Sequence, residues 1–238
     1  MNQLLLSFDT STPRGSVALV SESVVVGEVS LDVKHRPHSD YLLRHAHFLL
    51  QESGVTLADI TGLCVVNGPG SFTGLRVGLA TVQGLAQSLE LPVYQISSLL
   101  VLGFMYGRAP CVQYCLLDAR KQELYGALLH WGASGPRVEQ MFVLPPAAIC
   151  EHINAHHASE PVILIGHGAE IYHELFQREC NADLYFSGSA SQIPSAADAV
   201  QLLLQWPGLF PPVQVYEIQA QYVRPSDAEL QQRRGRLD

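Results

Sequence analysis

Apolar positions along the chain fall into short runs and amphipathic stretches that recur in a fixed order. Leu4–Thr10, Ser16–Ser21 and Val24–Asp32 are β-rich runs parted by turn residues. Ser39 has the side chain of a helix cap, and the helical period that follows it extends to about Glu52. Gly62–Asn67 reads as a short buried strand closed by Gly68-Pro69-Gly70, followed by a helix over about Phe72–Leu89 and a strand over Pro92–Ser97. The second half repeats the order. Strands are expected over Val112–Asp118, Glu123–Trp131 and Val138–Val143, a helix over Pro145–His157 and a strand over Val162–Gly166. Helices over Ala169–Arg178 and Ser195–Trp206 complete it.

Each half opens with an apolar strand that ends in a carboxylate, Asp9 in the first and Asp118 in the second. A βββαβα unit used twice predicts an α/β protein of the actin/hexokinase/Hsp70-like (ASKHA) class, in which a nucleotide lies between the halves. The expected division is residues 1–102, carrying the dimerisation helices, and residues 103–238.

Composition narrows the function. With 47% hydrophobic and 15% charged residues, the 238-residue chain has the material for a sizeable core. A formal net charge of −8 repels a phosphate backbone, so autonomous nucleic-acid binding is not expected. The one basic cluster is the tail Arg224, Arg233, Arg234 and Arg236, which reads as a solvated C-terminus. The start lacks the basic segment and cleavage site of a signal peptide, and no apolar run is long enough to span a bilayer. Five scattered cysteines fit reduced core thiols and a cytoplasmic protein. Cys111 and Cys115, read on one strand, would lie about 13 Å apart, too far to share a metal.

The segment Asn67-Gly68-Pro69-Gly70-Ser71-Phe72-Thr73-Gly74-Leu75-Arg76-Val77-Gly78 joins a strand to a helix, where backbone N–H groups can face an anion. It lacks the Gly-Lys-Ser/Thr of a P-loop and the third glycine of a dinucleotide loop. A tight turn capped by Ser71 and a ligand cradle both remain open, with the turn favoured. From Ser71 to Leu89 the only charged residue is Arg76, so this helix cannot offer an ordinary polar face to water. Gly74, Gly78 and Thr81 share a stripe on which another helix can come close. On the preceding helix Leu42, Leu43, Ala46, Leu49 and Leu50 form a core stripe, while Tyr41 and Phe48 point elsewhere. The expected partner interface is Tyr41, His45, Phe48, Gly74, Val77, Gly78 and Thr81, unless C-terminal residues of the same chain cover these helices. Asp9, Asp118, Gly166 and Gly168 are weak candidates for a nucleotide cleft. His152 and His156 have a metal-ligand spacing, but without the adjacent glutamate of a zinc protease a solvated helix end is the better reading. No complete catalytic set, cofactor site or metal site is expected.

Taken together, Phe8-Asp9-Thr10-Ser11-Thr12, His38-Ser39, the Asn67–Gly78 segment, Gln83-Gly84-Leu85-Ala86, Asp118-Ala119-Arg120 and Tyr222-Val223-Arg224-Pro225 resemble the bacterial TsaB (YeaZ) family over nearly the whole chain. The resemblance implies a partner of the catalytic subunit TsaD that, with the ATPase TsaE, installs threonylcarbamoyl on N6 of adenosine 37 in tRNA. It implies a heterodimer with TsaD, a homodimer when alone, and tRNA contact through the complex. Aligned on Pro92-Val93-Tyr94-Gln95-Ile96, the His-x-x-x-His metal pair of TsaD falls at Ser98 and Leu102, and leucine cannot ligate a metal. A scaffold rather than an enzyme is therefore expected. The alternative is an ATP-dependent or glycoprotease-like enzyme acting on its own.

Overall fold

Leu4, Leu6 and Phe8 face one side of the first strand, β1 (Leu4–Asp9), and Leu5, Ser7 and Asp9 the other; both sides are covered. β1 therefore needs a layer of helices on each face of its sheet. The computed structural model describes residues 3–32, 38–109, 111–188 and 193–223. The basic tail at Arg224, Arg233, Arg234 and Arg236, and Pro225 of the last motif, lie outside them. β2 (Arg14–Ser21) and β3 (Val24–Asp32) extend the sheet antiparallel to β1, while β4 (Gly62–Gly68) and β5 (Val93–Ser97) extend it in parallel on the other side, giving the order β3-β2-β1-β4-β5.

The second sheet has the same topology. β6 (Val112–Asp118), β7 (Leu124–Gly132) and β8 (Gly135–Leu144) are antiparallel, and β9 (Pro161–Ile165) and β10 (Asp183–Phe186) run parallel to β6. The order β8-β7-β6-β9-β10 mirrors the first sheet strand for strand. The chain is thus an α/β protein of duplicated halves, as its pattern predicts.

α1 (Leu42–Glu52) and α2 (Phe72–Leu89) cover one face of the first sheet through Leu42, Leu49, Leu79 and Val82. α4 (Pro146–His156), α5 (His167–Ile171) and α6 (His173–Glu179) cover one face of the second. Between the sheets lie α3 (Ser98–Tyr106) and α7 (Ala196–Gln205). α3 follows the first sheet but sends Leu99 and Leu102 into the core of the second. α7 follows the second sheet but packs Ala199, Val200 and Leu203 on the first. The first-turn N–H groups of α7 are met by side chains of that first sheet as well as its own cap. Ala196 N–H donates to Ser16 Oγ (2.9 Å), Ala197 N–H to Glu28 Oε1 (3.2 Å) and Asp198 N–H to Ser195 Oγ (3.3 Å).

Several local expectations shift. Ser39 lies in a separate 3-10 turn (His38–Asp40), its hydroxyl on Asp40, and the residue at the cap of α1 is Tyr41. The stretch expected as one helix over Ala169–Arg178 breaks at Tyr172 into α5 and α6. The expected division at residue 102 falls inside α3, and the C-terminal segment returns to the first sheet. Val213 bridges to Val93 on the free edge of β5, and Ile218 is buried beside α2.

Candidate functional site

The two most distinctive stretches of the sequence pack on one another. The turn after β1 carries Asp9-Thr10-Ser11, and the glycine-rich segment after β4 lies across it. Ser71 N–H donates to the Ser11 carbonyl (2.7 Å), and Thr10 Oγ1 donates to the Gly74 carbonyl (2.8 Å). A Cβ at Gly70 would run into the Ser11 carbonyl, and one at Gly78 into the Thr10 hydroxyl. Gly74 and Gly78 are four residues apart on one stripe of α2, with Gly70 in the loop just before its cap, and Thr10 and Ser11 pack against these three glycines. Ser71 caps α2 as expected, accepting from Gly74 N–H at 3.2 Å. The favoured turn reading therefore describes this loop, with a role the residues alone did not specify: it clasps the β1–β2 turn.

The expected interface changes accordingly. Gly74 and Gly78 are buried under Thr10 of the same chain and offer no surface to a partner. Tyr41, expected to point away from the core, is buried within it, and its ring lies 5.0 Å from that of His45. His45 is half-buried with Nδ1 unpartnered, and burial lowers its pKa. Thr81 turns its hydroxyl back to the Val77 carbonyl (2.8 Å), and both residues are half-buried. The C-terminal segment covers one flank of α2, where Gln83 Nε2 donates to the Ile218 carbonyl at 3.0 Å. The apolar and small residues that stay exposed include Leu43 (56%), expected in the core stripe, and Phe48 (51%) on α1, and Phe72, Ala80 and Gly84 on α2, with the Arg76 guanidinium 3.9 Å over the Phe72 ring. A Cβ at Gly84 would meet nothing within 4 Å.

The nucleotide-cleft candidates sit in unlike surroundings. Asp9 is fully buried; Oδ1 accepts the Ser11 N–H (2.8 Å) and Oδ2 has no partner. Burial raises its pKa to about 7; the Ser11 hydrogen bonds oppose this and the Glu28 charge adds to it. Tyr41 is pushed upward by burial and then by the Asp9 charge. Asp118 occupies the matching strand end, and its Oδ1 likewise accepts a backbone N–H two residues on, from Arg120 (2.8 Å). Yet Asp118 is exposed, and Arg120, Lys121 and Gln122 after it all have positive φ (59°, 53° and 60°). Gly166 and Gly168 are buried against Leu116 of β6, where a Cβ at Gly168 would lie 2.8 Å from the Leu124 side chain and 3.0 Å from the Leu116 carbonyl. Their small size serves helix-on-sheet packing.

A cavity of about 350 Å³ does open between the halves. Asn67, Gln95, Gln219 and Gln221 give it amide groups, and Leu100 and Met141 an apolar wall. None of its lining residues is charged and none is a predicted cleft residue, so its chemistry does not suit phosphate. The positions aligned with a metal pair are packing positions: Ser98 is fully buried with its hydroxyl on the Pro69 carbonyl (2.6 Å), and Leu102 is in the apolar core. The rings of His152 and His156 lie 4.6 Å apart on α4, tilted by 56°, and Tyr114 OH meets His152 Nδ1 at 2.7 Å. No group of three metal-ligating side chains converges among the described residues. No helix among them is long and apolar enough to cross a membrane.

A family model described as "TsaD: tRNA N6-adenosine threonylcarbamoyltransferase" matches residues 32–209. The tRNA threonylcarbamoyladenosine biosynthesis protein TsaB of Escherichia coli (strain K12) is 35% identical over 125 residues, 52% of this chain and 53% of that protein. The chain thus spans about half the length of that curated relative. The Bacillus subtilis (strain 168) protein of the same name is 26% identical over 189 residues, covering 79% of this chain and 81% of its own. Among solved structures, YeaZ from Pseudomonas aeruginosa superposes with a TM-score of 0.75 at 28% identity, over 92% of this chain and 99% of that one.

Proposed function

This chain belongs to the TsaD family, in its TsaB (YeaZ) branch, and from that premise we propose that it is a non-catalytic subunit supporting threonylcarbamoyl transfer to tRNA adenosine. The observation that carries the reading is the packing at Ser98 and Leu102. These positions correspond, by the resemblance, to the metal-binding histidine pair of the catalytic branch. Here one gives its hydroxyl to a backbone carbonyl and the other fills an apolar core. A metal in such a site would hold and polarise the acyl donor; a hydroxyl already committed and a leucine supply neither function. The buried Asp9 and the uncharged cavity favour a scaffold over a nucleotide-using enzyme in the same way.

The partner in this proposal is TsaD, with TsaE joining the full complex and tRNA engaged through the assembly. The docking surface is the exposed face of α1 and α2 formed by Leu43, Phe48, Phe72 and the small residues Ala80 and Gly84, with Arg76 between Phe72 and Ala80. Without TsaD the same face pairs two copies of the chain.

Reconstitution tests the proposal. Threonylcarbamoyladenosine is measured by nucleoside mass spectrometry after mixing TsaD, TsaE, ATP, the threonylcarbamoyl donor and tRNA, with and without this chain. Modification is expected only when the chain is present. Phe48→Glu and Ala80→Glu should weaken association by about a hundredfold, because each buries an unpaired charge costing roughly 3 kcal/mol. Product formed by this chain alone would overturn the non-catalytic assignment; undiminished TsaD binding by both variants would overturn the surface.

A further inference from the structure

Two of the five cysteines, remote from the α1–α2 face, are held together by neighbours that fix them in place. Cys150 lies on the inner face of α4, 3% exposed, in the core of the second half. Cys180 follows the last residue of α6, is half-buried and packs on the same cluster. The two thiols interact directly with each other. Asn154, one turn beyond Cys150 on the same face of α4, clamps the backbone on both sides of Cys180. Its Nδ2 donates to the Glu179 carbonyl at 2.8 Å, and its Oδ1 accepts the Asn181 N–H at 2.7 Å. The segment carrying one thiol is therefore tied to the helix carrying the other. We propose that Cys150 and Cys180 are a peroxide-sensitive dithiol that closes to a disulfide joining α4 to the end of α6.

The two sulfurs take different roles. The neighbouring Cys180 thiol and burial push Cys150 upward. Cys180 is the more exposed of the two, so a peroxide reaches its sulfur first. With a hydroperoxide as oxidant, the Cys180 thiolate attacks the peroxide oxygen and the O–O bond breaks. That yields a sulfenic acid and, for hydrogen peroxide, a hydroxide that becomes water by taking up the proton Cys180 gave off on ionising. The Cys150 sulfur then attacks the sulfenyl sulfur; the S–O bond breaks, hydroxide leaves and takes the Cys150 proton as a second water. Two thiols are oxidised by two electrons and one peroxide is reduced. The remaining cysteines are internal controls: Cys64 and Cys115 are fully buried, and burial pushes the half-buried Cys111 thiol up.

The test treats the full chain with hydrogen peroxide, alkylates remaining thiols under denaturing conditions and maps peptides by mass spectrometry. A cross-linked peptide pair containing Cys150 and Cys180, about 2 Da lighter than the sum of its parts, is expected, and dithiothreitol should reverse it. The oxidised chain should melt about 5–10 °C higher, since the bond constrains the unfolded loop between the two residues. In Cys150→Ser, Cys180 should instead gain about 32 Da as a sulfinic acid, because nothing resolves the sulfenate. The proposal is overturned if Cys150 and Cys180 are both recovered alkylated at peroxide levels that oxidise Cys111, or if Cys180 is found bonded to a different cysteine. Mapping the unsubstituted chain decides this even if Cys150→Ser folds poorly.

Discussion

Asp9 makes stability depend on pH in a way that one substitution isolates. Its carboxyl is fully buried, Oδ1 holds the Ser11 N–H at 2.8 Å and Oδ2 has no partner. Burial lifts its pKa from the ordinary 3.8 to about 7. Below about pH 3.8 the carboxyl is protonated both folded and unfolded, and its contribution to stability is fully present. As pH rises toward 7 the unfolded chain releases this proton and the folded chain keeps it. Stability then falls by about 1.4 kcal/mol per pH unit, roughly 4 kcal/mol in all, and levels off above the folded pKa. Asp9→Asn removes that dependence. Its carbonyl can still accept the Ser11 N–H, but its Nδ2 inherits the unpartnered position of Oδ2, at a penalty of about 1–3 kcal/mol. Urea unfolding of both proteins at pH 5, 6, 7 and 8 gives the difference directly, with other titrating groups cancelling. The variant should gain about 3 kcal/mol on the parent between pH 5 and pH 8, ending as the more stable protein. A stability difference that stays flat across that range would refute the buried-carboxyl reasoning.

Three further outcomes follow from particular contacts. Gly78→Ala should destabilise by about 1–3 kcal/mol, since the new methyl meets the Thr10 hydroxyl, and most of that penalty should vanish in the Thr10→Ala background; urea unfolding of the four proteins tests it. Gln122→Gly should raise the unfolding free energy by about 0.5–1 kcal/mol, because Gln122 is exposed with φ of 60° and glycine adopts that conformation without strain. Titration calorimetry of the isolated chain with Mg-ATP should detect no binding tighter than roughly 100 μM; a low-micromolar site abolished by Asp9→Asn would reverse the scaffold reading.

Much of the architecture is legible from local patterns. Leu4, Leu6 and Phe8 alternate with Leu5, Ser7 and Asp9, and Leu42, Ala46, Leu49 and Leu50 recur with the helical period, so β1 and α1 declare themselves. α3 does not. Ser98–Tyr106 is apolar on nearly every side because it is wedged between two sheets, and it follows β5 with no turn residue between them. β10 is four residues long and half exposed, too short to show a period. Ser39 has the residue type of a helix cap, but a 3-10 turn uses the same types, and residue type alone does not separate the two.

The site shows the same division. Gly74 and Gly78, with Thr81, announce from sequence that something comes close to one stripe of α2, because a missing Cβ at helical spacing has few other uses. What comes close is Thr10 and Ser11, remote in sequence and brought there only by the parallel pairing of β1 with β4. Asp9 and Asp118 look alike in the chain, each ending an apolar strand and each accepting a backbone N–H two residues on. Only the fold distinguishes them, by laying α2 over the first turn and leaving the second in water. Hydrophobic period and turn chemistry act between near neighbours and can be read along a line. Burial, and with it the protonation of a carboxyl or the partner of a glycine, depends on residues that only the closed structure brings together.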